Sequence, residues 1–144
     1  MKRFKTFLPL MLCLLVSSIS SGVDNRNDLG DLRASNLLKL SEEKSCVDCD
    51  LIGANLSDAN LNGADLTGAK LEGANFEGAT LVEANLTGAD LTGVDLTRTD
   101  CTKANFTKAI LIRTSVPWPA QRENAIFKGA KVGLINWIDL VEHL

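Results

Sequence analysis

A chain of 144 residues has the length of one domain, and 45% apolar content is enough for a core, yet only 5% of the residues are aromatic and none is Tyr. A core built around large rings is therefore excluded, and whatever is buried must be small and aliphatic. The formal charge of −3, from 15 basic and 18 acidic residues, argues against a generally basic nucleic-acid binder, and one His with four Cys leaves little material for metal chemistry.

Residues 1–20 have the three parts of a secretory signal peptide. Lys2, Arg3 and Lys5 form a positive start, Phe7 to Val16 an apolar run broken only by Pro9, and Ser17 to Gly22 a stretch of mostly small residues. Cleavage is expected within 18–23, with Ser18 and Ser20 filling the small-residue positions for a cut between Ser20 and Ser21. An uncleaved amphipathic anchor is the competing reading, but the run is too short for a comfortable span, which needs ~20 residues. Leu12 stands before Cys13 where a lipoprotein signal wants a small residue, and no twin-arginine pair is present. Cleavage removes three bases and no acids, leaving 12 bases against 18 acids and a net charge of −6.

Residues 21–48 read as a linker and an N-terminal capping helix. Leu29, Leu32, Leu37 and Leu40 recur near helical spacing between Asp28 and Glu43. Gly30 and Asn36 weaken this helix, so a disordered linker is the alternative.

From there a five-residue period takes over. Every fifth residue from Leu51 to Leu111 is Leu or Phe, except Cys101. Two positions earlier stands Cys49, then Ala at every repeat from Ala54 to Ala89, then Val94, Thr99, Ala104 and Ala109. One position before the centre stand mostly Asn or Asp, such as Asn55, Asp65, Asn75, Asn85, Asp90 and Asn105, and after it come Thr or Ser and then Gly. Such a period fits neither a helix, at ~3.6, nor a strand, at 2. A chain that turns a corner every five residues keeps each Leu pointing inward with a small Ala beside it. The other three positions face water or take the turn, as their backbone preferences allow.

This pattern resembles the A(D/N)LXX signature of the pentapeptide repeat family, matched almost continuously from Cys49 to Arg113. The resemblance implies an all-β solenoid, a right-handed quadrilateral β-helix with four pentapeptides per square coil. Thirteen repeats from residue 49 to residue 113 then make a little over three coils, a rod about 15 Å tall. Both open ends need covers, so short α-helical caps are expected at each.

Beyond the repeats, the Pro117-Trp118-Pro119 stretch breaks the register, and residues 114–124 are expected to bulge out as a loop. Ala125 to Leu134 restarts the repeat for two units, with Phe127 lying 16 residues after Leu111 and so shifted by one. Within 125–144 the end, Asn136 to Leu144, reads as a capping helix, with Asn136 as N-cap and Trp137, Leu140, Val141 and Leu144 on one face. A partner-binding or dimerisation helix is its functional rival.

Cys46 and Cys49 form a CxxC at the mouth of the repeats, Cys46 in the central register and Cys49 in the Ala register. In an exported, oxidising compartment a disulfide there would staple the cap to the rod. Two free thiols and a redox-active pair remain open, though a thioredoxin-type motif belongs to an α/β junction that this pattern lacks. Cys101 reads as a buried thiol standing in for Leu. Two Cys and the distant His143 cannot complete a zinc site, the glycines are turns and not a phosphate cradle, and no catalytic constellation converges. No cofactor and no enzymatic activity are expected.

Charge is unevenly placed. Between Cys49 and Thr97 stand eight acids and one base, Lys70, whereas Arg98, Lys103, Lys108 and Arg113 follow with a single acid, Asp100. The four cations share the last position of successive repeats, so they fall on four different faces as a basic belt. Such a belt could meet an anionic membrane surface or an acidic partner, while a solvated rim that limits end-to-end stacking is the blander reading. The reading reached is an exported, non-enzymatic module, a rigid scaffold for an unidentified protein partner, monomeric or weakly self-associating. No nucleic-acid contact and no stable membrane insertion after signal cleavage are expected. Its compartment is the periplasm, the thylakoid lumen or the extracellular space, since the resemblance implies exported and lumenal relatives. The alternative is a DNA-mimicking topoisomerase-binding protein of the quinolone-resistance type, against which the export signal, short rod and basic belt all count.

Overall fold

The computed structural model describes residues 28–115, 117 and 119–133, with helix side chains from Leu32 onward. The expected signal peptide with Cys13, Trp118, the expected C-terminal helix with Trp137, and His143 lie outside the described residues.

Between Ser45 and Ser115 each residue just before a repeat centre pairs in parallel with the residue 20 positions later, as in Ser45 with Asp65, Asn85 with Asn105 and Asp95 with Ser115. Four five-residue sides therefore make one turn. On the first side the centres Cys46, Leu66, Leu86, Phe106 and Phe127 lie above one another; on the second, Leu51, Leu71, Leu91, Leu111 and Val132; on the third, Leu56, Phe76 and Leu96; on the fourth, Leu61, Leu81 and Cys101. Every one of these except Val132 is buried, and so are the small residues beside them from Ala54 to Ala109. Regular strand is scarce: β1 (Ile110–Leu111) and β2 (Lys131–Val132) form a two-stranded parallel pair, and single bridges join the turns elsewhere.

The corners explain the remaining positions of the repeat. The N–H of each small residue donates to the carbonyl of the preceding centre, as Ala54 does to Leu51 at 3.0 Å, closing a four-residue turn. A turn whose third residue has positive φ is of type II, which favours Gly. Gly53 and Gly88, at φ 65° and 70°, fill that place. The Asn or Asp before each centre caps the same turn from outside. Its Oδ1 accepts the backbone N–H two residues on, at Asp65, Asn85, Asp90, Asp95 and Asn105 among others. Thr67, Thr87, Thr92, Thr97 and Thr107 add their hydroxyls to that same oxygen at 2.6–2.7 Å. The polar residues of the repeat thus satisfy the backbone of an extended chain that has few neighbours of its own.

Helix α1 (Asp28–Glu43) covers the first turn, on the span that the leucine spacing marks. Leu40 is 1% exposed and Leu37 packs against the core, but Leu32 is 49% exposed, so among the described side chains the apolar stripe engages through Leu37 and Leu40. Arg33 pairs with Asp50 at 3.2 Å and Asn36 Nδ2 donates to the Asp50 carbonyl, which fixes the upper half of the helix through polar groups instead.

The loop is shorter than the expected 114–124. Thr114 is buried and its hydroxyl donates to the Leu91 carbonyl at 2.7 Å, while Ser115 still pairs with Asp95. A 3₁₀ turn at Pro119–Arg122 then brings the Gln121 and Glu123 carbonyls over the N–H groups of Cys101 and Lys103. Those donors would otherwise be orphaned on the top of the fourth side, so the chain cannot bulge away over its whole length. Pairing beyond the loop is offset by 21 residues, as in Asn105 with Ile126 and Ile110 with Lys131, which is the one-residue shift expected of Phe127. Phe127 stacks flat on Phe106 with ring centroids 5.0 Å apart.

Candidate interaction surfaces

Cys46 and Cys49 are bonded as a disulfide with Cα atoms 5.3 Å apart, and both side chains are buried under α1. The Cys46 sulfur lies 3.4 Å from the Asn36 carbonyl, so the bridge touches the cap directly. Lys44, where the chain leaves the helix, donates through Nζ to the Asn60 carbonyl.

Cys101 is a buried thiol in a central position, and burial, with a smaller contribution from Asp100, pushes it up from 9.0 to about 12. Only the thiolate is nucleophilic. Iodoacetamide at neutral pH is expected to leave Cys101 unmodified in the folded protein and to alkylate it in denaturant, as read by mass spectrometry. The unfolded chain ionises this thiol near pH 9.0 while the folded chain holds the proton to about pH 12. The Cys101 contribution to stability is therefore intact below that window and declines as pH rises through it.

The four belt cations occupy successive corners of one turn, but they do not behave alike. Arg98 reaches down to Glu77 at 2.5 Å and Lys103 to Glu83 at 3.0 Å. Both pairs are more than half exposed, so each contributes ~0–1 kcal/mol. Lys108 and Arg113 take part in none of the ion pairs among the described residues. Lys103, Lys108 and Arg113 sit at the left-handed corner conformation, φ 58–60°, and Arg98 does not.

That exception opens the ladder. Exchanging the corner type turns over the peptide between its two central residues, here Thr97 and Arg98. Glycines at the matching corners donate upward, Gly73 to Thr92 and Gly88 to Thr107, whereas Gly78 has no such bond to Thr97. The inter-turn bonds expected from the Phe76 and Asp95 N–H groups also fall short of good hydrogen-bond geometry, although Asn75 and Asp95 stay paired. The gap forms a polar cleft of about 370 Å³ lined by Asn75, Glu77, Asp95, Thr97 and Arg98. Its side chains are already engaged: Arg98 with Glu77, Thr97 with Asp95, and Asn75 with the Glu77 N–H. Arg98→Gly is expected to restore the Gly78 bond and close the cleft, stabilising by about 1 kcal/mol. Amide exchange at Gly78, faster than at Gly73 and Gly88 in the parent, should fall to their level.

Among the described residues no three His, Cys, Asp or Glu side chains are grouped to hold a metal ion, and no helix is long and apolar enough to cross a membrane. Spacing alone locates the belt and the CxxC; it misses the cleft, because Lys103, Lys108 and Arg113 stand at the same repeat position as Arg98 and keep the left-handed corner that Arg98 leaves.

A twenty-residue turn of four inward-pointing pentapeptides defines a repeat protein whose faces are set by its corners. The family model for pentapeptide repeats matches residues 45–82 and 84–115 in eight copies, and the chain belongs to the pentapeptide repeat family. Members of this family fold as right-handed quadrilateral β-helices. A trypsin-treated variant of QnrB1, a plasmid-mediated fluoroquinolone resistance protein, is 27% identical over 61% of this chain and 42% of its own, with a TM-score of 0.52. The chain thus spans less than half the length of that relative. Two further solved structures are Rfr23 from the cyanobacterium Cyanothece 51142, 23% identical over 69% of this chain and 95% of its own at a TM-score of 0.33, and a thylakoid lumen protein from Arabidopsis thaliana, 29% identical over 75% and 68% at 0.23. No curated protein sequence matches the chain.

Proposed function

We propose that the chain is an exported, non-enzymatic scaffold, a rigid right-handed quadrilateral β-helix that presents fixed polar rows to a protein partner. The observation that carries this reading is the way the surface carboxylates and amides are used. Along the first side, Asn85 Nδ2 donates to Thr67 Oγ1 at 2.9 Å and Asn105 Nδ2 to Thr87 Oγ1 at 3.1 Å, while each Oδ1 caps its own turn. Groups tied into the backbone in this way are held in register for recognition and have no freedom to move a proton.

Export is supported by the tripartite N-terminus and by the disulfide beneath the cap. Fusion of the native leader to a reporter, with mass determination of the product, tests it. Cleavage within 18–23 and an intact Cys46–Cys49 bridge are the expected result. An uncleaved cytoplasmic product would favour the topoisomerase-binding reading. A bridge closing so short a loop stabilises by about 2 kcal/mol, so dithiothreitol should lower the unfolding free energy by that amount, a fall of about 1 M in the urea midpoint, and melt α1 first. Affinity capture from the native compartment should return a protein partner that the Asn85→Ala and Asn105→Ala variants lose.

A further inference from the structure

We propose that the last two turns of the second side form a docking surface for anionic lipid headgroups. This goes beyond the scaffold reading and does not depend on it.

Lys108 and Arg113 stand at the two corners that bound this side in the fourth turn, and between them Ile112 is 42% exposed beside β1. In the turn above, Lys128 and Lys131 are exposed, and Ile126, 50% exposed, lies around the Lys108 corner. The arrangement is four cations with exposed Ile112 among them on the two-stranded second side, and with Ile126 on the adjoining first side. None of the four enters an ion pair among the described residues, whereas Arg98 and Lys103 of the same belt are neutralised by Glu77 and Glu83. From Asn105 to Gly133 the sole acid is Glu123, and it lies over Lys103 on the fourth side. The corners repeat the point. Gly88 and Gly93 occupy them one turn below, and Lys108 and Arg113 replace glycine at the same left-handed φ, where a Cβ is disfavoured.

The size of the patch selects its occupant. Five residues wide and two turns tall at ~4.8 Å per turn, it offers on the order of 200 Å². A stable protein interface takes about 800 Å² from each partner, and the same side one turn lower carries Asp90, which ends the basic area. A lipid surface needs no such area, because each cation near anionic headgroups adds its own attraction and exposed isoleucines enter the interfacial zone. The acidic lower turns are repelled by the same surface, so the rod docks by its C-terminal end.

Cosedimentation of the purified protein with vesicles tests this, using about one phosphatidylglycerol in three lipids against pure phosphatidylcholine. Binding to the anionic vesicles alone, weakening with salt, is expected. Lys128→Gln with Lys131→Gln should weaken it about 25-fold, at about fivefold per cation. Arg98→Gln with Lys103→Gln removes the same charge and should change it less than about twofold. Ile112→Ser, which alters no charge, should also weaken it. Thermal melts establish that each variant is folded. Equal loss in both double variants, equal binding to neutral vesicles, or binding to a polyglutamate peptide without binding to vesicles would overturn the proposal, the last in favour of an acidic protein.

Discussion

Deletion of Gly88 alone is expected to unfold the protein. Each centre between it and the loop, Leu91, Leu96, Cys101, Phe106 and Leu111, is at most 1% exposed, and losing one residue moves all five out of the interior position. Exposing a Leu or Phe costs about 1.5–3 kcal/mol, so the Leu and Phe centres together cost about 6–12 kcal/mol, comparable with the ~5–15 kcal/mol by which a domain is usually stable. The natural one-residue offset in this chain is confined to the segment around the Pro119–Arg122 turn, where the ladder is interrupted in any case. Removal of a whole turn, residues 66–85, should by contrast leave a folded protein of lower stability, since each turn contacts only its neighbours. Circular dichroism melts of the two deletions make the comparison. A cooperative melt for the single-residue deletion near the parent temperature would contradict the register argument.

Phe76→Ala is expected to destabilise by about 3–5 kcal/mol, measured by urea denaturation. The ring is fully buried between Leu56 below and Leu96 above, in an interior whose neighbouring positions are alanines that cannot expand to fill the space. Phe76→Leu puts the standard residue of the repeat at that place and should cost less than about 1.5 kcal/mol. Equal effects from the two substitutions would mean that the centre of the coil is not close-packed.

The inward half of this architecture is legible because packing leaves a direct trace in sequence. A centre that admits Leu or Phe and a neighbour that admits Ala repeat too tightly to be read otherwise, and the scarcity of aromatics follows from that narrow interior. Helix α1 is legible from its leucines, but the same spacing puts Leu32 in the buried stripe, whereas it faces solvent. Its end of the helix is held by Arg33 and Asn36 on Asp50, contacts that depend on the position of a residue 14 to 17 places away. Composition marks the Asn and Asp positions as water-facing or turn-forming. Their role as caps on the backbone two residues on is a matter of side-chain geometry, which composition does not encode. The sequence makes the loop too wide because prolines mark where a repeat breaks, while the need to satisfy the Cys101 and Lys103 donors decides how far the chain can stray. Spacing alone makes the belt four equivalent cations. Among the described residues it divides into two members that pair and two that do not, because the acids below are not evenly spaced: Glu83 stands under Lys103 and Glu77 next to the Gly78 under Arg98, whereas Gly88 and Gly93 stand under Lys108 and Arg113.

All these faces exist only if the chain turns once every twenty residues. Through-space contacts between backbone protons, assigned by NMR on labelled protein, test that directly. The account predicts contacts between Asp65 and Asn85, Asn85 and Asn105, and Asp90 and Ile110, each 20 residues apart, changing to 21 for Asn105 with Ile126 and Ile110 with Lys131. Contacts at any other constant spacing, or none beyond the neighbouring repeat, would contradict it.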